Sequence, residues 1–316
     1  MRRHRTIAGT VLAVTALFAG ALSAASAAAA PVPSPPTSTP ASFAPKQAPT
    51  GFWTAERMRA ATPLDLIRTV PGSVKAPAPG GEKTVIAPTA FPQPGGPWTG
   101  GGAVVKTSGR VFFTFQGRTA SCSGNSVTSQ NGSTVITAGH CVKYQGSWHT
   151  NWVFVPAYNN GHAPYGQWSA TKTLATDQWA ASEDINYDVG AAVVAPLNGR
   201  TLAQTVGAQG LQFNGGYNKA MYAFGFPAAA PYDGSKLIHC SGNSSKDFLF
   251  SQDHSLGCNM TGGSSGGPWF TSFSEATGTG LQVSVNSFGY TFLPNRMFGP
   301  YFGNEAKAVY DKAQAS

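Results

Sequence analysis

From Ala103 to Phe288 the chain splits its apolar residues into short runs rich in Val, Phe, Thr and Tyr, each bounded by Gly, Asn or Ser. β-Branched and aromatic side chains suit a pleated, half-buried backbone, while Gly and Asn supply turns. Residues 111–115, 134–137, 152–155, 189–194, 221–226, 248–251 and 283–288 therefore read as strands. With 38 Gly and 23 Pro among 316 residues, an all-helical protein is excluded, because both residues break helix interiors. A capped helix is expected only at the end, where Asn304 precedes Glu305 to Tyr310. About 210 residues of this kind make two small β-barrels or one sandwich. No fixed repeat suggests a propeller or solenoid.

The preceding residues have a different character. Met1-Arg2-Arg3-His4-Arg5, the apolar run from Ile7 to Leu22 and small residues from Ser23 to Ala28 make a secretory signal peptide. Its expected extent is 1–29, with a secreted, extracellular product that has no membrane contact after cleavage. Residues 31 to about 50 are rich in Pro, Ser, Thr and Ala, a composition that cannot pack a core of its own. Residues 54–61 contain helix formers, and Thr62-Pro63-Leu64-Asp65 has the form of a helix start, with a Thr cap and Pro in the first position. Pro, Gly and Ala then dominate to Gly102, broken only by Val85-Ile86. Residues 30–95 are expected to form a pro-region and linker. The overall +8 charge arises mostly before residue 96, since residues 96–316 hold 12 bases against 10 acids. Net charge thus gives no case for nucleic-acid binding.

Cys122, Cys141, Cys240 and Cys258 all follow residue 96, and an even count in an exported chain favours two disulfides. Three pairings are open. Joining 122 to 141 and 240 to 258 closes two local loops, each contributing about 3 kcal/mol by the chain-entropy model. The competing reading is zinc held by His239, Cys240, His254 and Cys258, but the spacing fits no recognised zinc pattern. No metal or cofactor is expected. His149, His162, His239 and His254 are expected on the surface or in loops. The tryptophans read as core or loop anchors.

Three segments carry chemistry: Thr137-Ala138-Gly139-His140-Cys141, then Asn186-Tyr187-Asp188-Val189-Gly190, then Thr261-Gly262-Gly263-Ser264-Ser265-Gly266-Gly267-Pro268. In this order they resemble the three signatures of chymotrypsin-like serine peptidases, within the bacterial secreted branch that contains the glutamyl endopeptidases. The resemblance covers roughly residues 103 to 290. It implies an all-β fold of two six-stranded antiparallel barrels with a short C-terminal helix. The first barrel would span 96–200 and carry His and Asp; the second, 201–316, would carry Ser and end in the helix. The family implies Ser265 as nucleophile, His140 as general base and Asp188 as the group orienting the imidazole. Asp177 and Asp184 are also available, but only Asp188 leads directly into an apolar run. The amides of Gly263 and Ser265 would hold the oxyanion.

Residues Asn286, Ser287, Phe288 and Gly289 resemble the substrate-binding strand beside the primary pocket, where a substrate backbone pairs antiparallel. Asn259 is a further candidate pocket residue. Glutamyl endopeptidases carry a histidine where Asn286 stands here, and no acid provides a counter-charge for Lys or Arg. A small or polar side chain is therefore expected in the pocket at least as readily as an acidic one. Ser264 occupies the place of the aspartate that pairs with the freed N-terminus in animal trypsins. The pro-region would therefore control activity by blocking the site or assisting folding. The expected function is a secreted, monomeric serine endopeptidase acting on proteins or peptides. The competing readings are an esterase with the same triad and a catalytically silent binding protein.

Overall fold

The computed structural model describes residues 38–68 and 91–316, and its largest sheet is organised around the hairpin formed by Ser108–Phe115 and Arg118–Val127. These two strands pair antiparallel along their length and continue to Thr150–Pro156 on one side and Thr134–Thr137 on the other. Trp168–Ala175 and Gly190–Val194 complete the circuit, so six antiparallel strands close on themselves. Val111, Phe113, Val135, Trp152, Phe154 and Trp168 fill the interior. Closure removes the edges that an open sheet would expose.

The later half of the chain forms a second barrel-like unit from two sheets. Six strands run in the order Gly210–Leu211, Thr279–Val285, Pro268–Ser274, Ala220–Gly225, Ile238–Asn243 and Gln93–Pro97. The other sheet orders Ser245–Lys246, His254–Gly257, Arg296–Gly299, Phe288–Tyr290 and Leu66–Arg68. Met221, Ala223, Cys240, Leu256, Trp269 and Met297 form one apolar cluster drawn from both. The fold is thus all-β, with the helix Asn304–Gln314 at the end. Two segments cross the division expected near residue 200. Gln93–Pro97 pairs with Ile238–Asn243, and the terminal helix buries Ala306, Val309 and Ala313 in the first-barrel core.

Several local expectations need correction. Residues 248–251 form no strand, because the Asp247 carboxylate accepts hydrogen bonds from the amides of Leu249, Phe250 and Ser251 and curls the chain. Phe248 and Phe250 are left largely exposed. Arg118–Val127 escaped notice because its Ser, Gly and Asn residues look like a turn. Ser121, Ser123, Asn125 and Ser126 are nevertheless buried there. Asn125 Nδ2 donates to Gln282 Oε1 at 2.8 Å, which satisfies polar groups far from water.

The region before residue 69 also packs. Ala41–Phe43 pairs antiparallel with Thr173–Ala175, beyond the part of that strand that pairs with Thr150–Pro156. The short helix Ala55–Ala60 follows its Thr54 cap, and Trp53, Met58 and Ala61 are buried against Phe112, Val153, Val155 and Tyr158. A segment too poor in apolar residues for its own core thus borrows the barrel's outer face. Thr62-Pro63 starts no helix; it pairs parallel with Ala120–Ser121, so tertiary pairing overrides the local signal. The expected signal peptide and Val85-Ile86 lie outside the described residues.

Phe302 is 2% exposed, stacks on Phe213 and belongs to an apolar cluster drawn from both halves of the chain. Phe302→Ala should therefore lower stability by about 3–5 kcal/mol in urea unfolding, measured on a Ser265→Ala background. An unchanged midpoint would contradict this packing.

Candidate active site

The ladder between Thr134–Thr137 and Gly190–Val194 brings the first two residues together. It sets Gly190 opposite Thr137. His140 comes just after one strand and Asp188 just before the other, so antiparallel register delivers both to the same barrel end. His140 lies in the tight turn Gly139–Cys141. Its Nδ1 is 2.7 Å from Asp188 Oδ2, and its backbone N–H donates to Asp188 Oδ1 at 2.7 Å. The Ser287 hydroxyl donates to Asp188 Oδ2 at 2.5 Å. This carboxylate is fully buried and holds the imidazole at ring and backbone together. Gly139 permits the approach, since a Cβ there would come within 2.7 Å of the Trp179 ring and 3.0 Å of Asp188 Oδ1.

Behind the turn, His149 Nε2 donates to the His140 carbonyl oxygen at 2.8 Å; because a carbonyl only accepts, Nε2 carries the proton. Trp152 Nε1 donates to the Cys141 carbonyl at 3.0 Å. His149 is fully buried and stacks on Phe113 with ring centroids 4.2 Å apart. His239 and His254 are also buried, which corrects the surface placement. Their sequence signal was slight: His239 and His254 lie in short strands with several small or polar neighbours, and His149 directly precedes the strand Thr150–Pro156.

Ser265 sits before the strand Pro268–Ser274, in a loop anchored to both barrels. Ser123 N–H donates to the Ser265 carbonyl at 2.7 Å, and Ser123 Oγ donates to the Gly263 carbonyl at 2.9 Å. Gly263 has φ +93°, a conformation that favours glycine and turns its N–H towards the cleft. Ser264 donates its hydroxyl to the Thr261 carbonyl at 2.7 Å. The Asn286 side chain ties this loop to the two strands beside it. Its Nδ2 donates to the carbonyls of Phe224 and Ser264 at 2.8 and 3.0 Å, and its Oδ1 accepts from Trp269 Nε1 at 2.6 Å. Ser287 reaches Asp188, and Phe288 packs on Phe298. Of the candidate pocket residues, Gly289 and Asn259 line a recess of about 340 Å³ together with Thr261, Tyr290, Arg296 and Met297.

The cleft is occupied by the chain itself. Gly263 N–H donates to the Leu64 carbonyl at 3.1 Å, and Ser265 Oγ approaches the same oxygen at 3.4 Å. Leu64 N–H donates to the Ser121 carbonyl at 2.9 Å. Asp65 lines the recess, where burial raises its carboxyl above the ordinary value while the charge of His140 opposes the shift. His140 Nε2 is buried without a hydrogen-bond partner among the described residues. Blockage by the pro-region was one of the two modes expected, but nothing in the composition of residues 62–68 marks them as the segment that lies in the cleft.

Cys122 bonds to Cys141 and Cys240 to Cys258, with S–S lengths of 2.03 and 2.08 Å. The first bridge fastens the His140 turn to the strand that holds Ser123. It also bears on metal binding: Cys122, His140 and Cys141 gather three donors within 4.8 Å, but disulfide sulfurs are not thiolate ligands and His140 Nδ1 is engaged by Asp188. The Cys240–Cys258 bridge likewise removes both thiolates from the zinc alternative.

No family model matches the chain. It is similar to the crystal structure of protease Anisep from Arthrobacter nicotinovorans, with 47% identity and a TM-score of 0.64 over 67% of this chain and 96% of that one. It is also similar to the thermostable serine protease AL20 from an extremophilic microorganism, with 42% identity and a TM-score of 0.64 over 68% and 99% of the two chains. A Glu endopeptidase solved in complex with MPD shares the fold at 17% identity and a TM-score of 0.53, over 66% of this chain and 90% of that one. Among curated proteins, the extracellular metalloprotease of Bacillus subtilis (strain 168) is 28% identical over 180 residues, which are 55% of this chain and 54% of that protein. The chain thus spans about half the length of that curated relative. The residues around His140 do not fit a metal, for the reasons given above.

Burial lowers the pKa of His149 to about 3 and that of His254 to about 4, from 6.5. Below pH 6.5 the unfolded chain takes up protons that the folded one refuses, so stability is fully present above that pH and is lost as pH falls. Each histidine should steepen the loss by about 1.4 kcal/mol per pH unit between 6.5 and its folded pKa. Urea unfolding from pH 6.5 down to about 4 should show this slope, and His149→Phe should reduce it. An unaltered slope in the variant would contradict the neutral, buried assignment.

Proposed function

Because the chain belongs to the bacterial chymotrypsin-like serine proteases, a family shared with relatives 47% and 42% identical to it, we propose that it is an endopeptidase working through Ser265, His140 and Asp188. The observation that carries this reading is convergence. A buried carboxylate holds His140 at 2.7 Å, while Gly263 N–H and Ser265 Oγ both address one peptide carbonyl oxygen.

In the proposed reaction Ser265 Oγ attacks the scissile carbonyl carbon and His140 Nε2 takes the hydroxyl proton. The Gly263 and Ser265 amides receive the oxyanion, and each such donor stabilises the transition state by about 3–4 kcal/mol. Collapse of the intermediate breaks the C–N bond as His140 returns the proton to the leaving amine. Water, deprotonated by the same imidazole, then hydrolyses the acyl-enzyme. Asp188 keeps the proton of the neutral ring on Nδ1 and stabilises the imidazolium. Peptides and proteins are the substrate class that the likeness to these proteases supports.

The recess presents Asn259, Thr261 and Arg296, and among the described residues its only carboxylate is Asp65 of the segment occupying the cleft. Once that segment leaves, a Lys or Arg side chain has no counter-charge there, which supports a polar, small or acidic preference. The reading extends to processing: residues 1–29 direct export, 30–95 form a pro-region that blocks the site, and the residues after it act extracellularly as a monomer. Two disulfides and the absence of a bilayer-spanning helix among the described residues are consistent with export.

Casein hydrolysis by the processed protein tests the reading. Ser265→Ala should abolish it, and Asp188→Asn should lower kcat about 10⁴-fold with the fold intact. Processed wild-type protein that leaves casein whole would contradict the endopeptidase. In a peptide library, preferred cleavage after Lys or Arg would contradict the recess argument.

A further inference from the structure

In the antiparallel pairing that the family resemblance implies, a substrate lies along residues 286–289 with its acyl side there. One and the same residue then supplies the carbonyl for the oxyanion amides and the side chain for the recess. In the segment that fills this cleft those two roles fall to successive residues. Leu64 gives the carbonyl that Gly263 N–H receives, and Asp65 gives the side chain that lines the recess. A Cβ built on Gly262 would stand 3.0 Å from Asp65 Cβ, so the base of this exposed side chain lies against the nucleophile loop.

Strand direction agrees. Leu66–Arg68 pairs with Phe288–Tyr290 in parallel, and the upstream Thr62–Pro63 lies along Ala120–Ser121 on the other side of Ser265. We propose that residues 62–68 are threaded through the cleft backwards, as a peptide ligand that occupies the oxyanion site and the recess without being a substrate. The inference rests on the peptidase reading above and specifies how that site is held closed.

The chemical consequence concerns the leaving group. Cleavage needs the amide nitrogen on the side where His140 can return a proton, with the acyl chain on the recess side. Reversal exchanges them. The nitrogen of the Leu64–Asp65 bond falls on the recess side, and the chain on the opposite side continues from a carbon that cannot depart as an amine. Attack by Ser265 on this carbonyl would give an intermediate that can only revert. The segment therefore survives contact with the catalytic groups and leaves by dissociation or by cleavage elsewhere in the chain. A substrate-like pro-segment would be cut at the same place.

Direction can be read without catalysis. In the full chain carrying Ser265→Ala, the photoreactive residue benzoylphenylalanine replaces exposed Thr62, and its adducts are mapped by peptide mass spectrometry. Adducts around Ala120–Ser121 are expected; adducts on Phe288–Tyr290 would overturn reverse threading. A second variant with the same probe at Arg68 should give the opposite map, and the two exchanged would again overturn it. In wild-type protein that has begun to hydrolyse casein, residues 61–68 should be recovered unbroken. A cut inside 62–68 that disappears in Ser265→Ala would overturn the proposal. If casein hydrolysis never appears, the peptidase reading fails, while the adduct maps still decide the direction of the segment.

Discussion

The antiparallel register that sets Gly190 opposite Thr137 is the constraint on which the site depends. It fixes where two separate stretches leave the first barrel, and so brings His140 and Asp188 within 2.7 Å. A slip of one residue would turn every side chain of the Gly190–Val194 strand to the other face of the sheet. It would also carry Asp188 away from the His140 amide. The disulfide at Cys141 and the His149 and Trp152 contacts to the turn's carbonyls hold the remaining freedom of the His140 backbone.

Ser265 comes from the other barrel, so the site also depends on how the two halves meet. That junction is made of buried polar groups with definite partners. Ser123 fixes the carbonyls of both Gly263 and Ser265, and Asn286 holds Ser264 from the opposite side. Hydrogen bonds are directional where apolar packing is not, and an unsatisfied buried partner costs about 1–3 kcal/mol. The polar, serine-rich strand Arg118–Val127 thus orients the loop that carries Ser265. The same strand, at Ala120–Ser121, receives the upstream end of the reversed segment.

Much of this was legible in the sequence, in a particular sense. The short apolar runs announced an all-β chain, and the three motifs named His140, Asp188 and Ser265 before any geometry was known. Asn286 and Ser287 were picked out with the substrate strand, but their side chains turn inward to the nucleophile loop and to Asp188, which only three-dimensional packing could reveal. Arg118–Val127 was invisible because its residues favour turns in isolation and are held extended by partners distant in sequence. Thr62-Pro63 misled in the opposite way, since a good local helix signal yields to pairing with Ala120–Ser121. His149 carried no motif at all; its burial follows from the stack on Phe113.

The central claim is that Ser265 becomes an activated nucleophile once the cleft is free. Intact mass after treatment with a fluorophosphonate tests it most directly, comparing the processed protein with the full chain and with Ser265→Ala. The account predicts one adduct on the processed wild type, located at Ser265, little on the full chain, and none on the variant. A folded, processed wild-type protein that gains no adduct would contradict it.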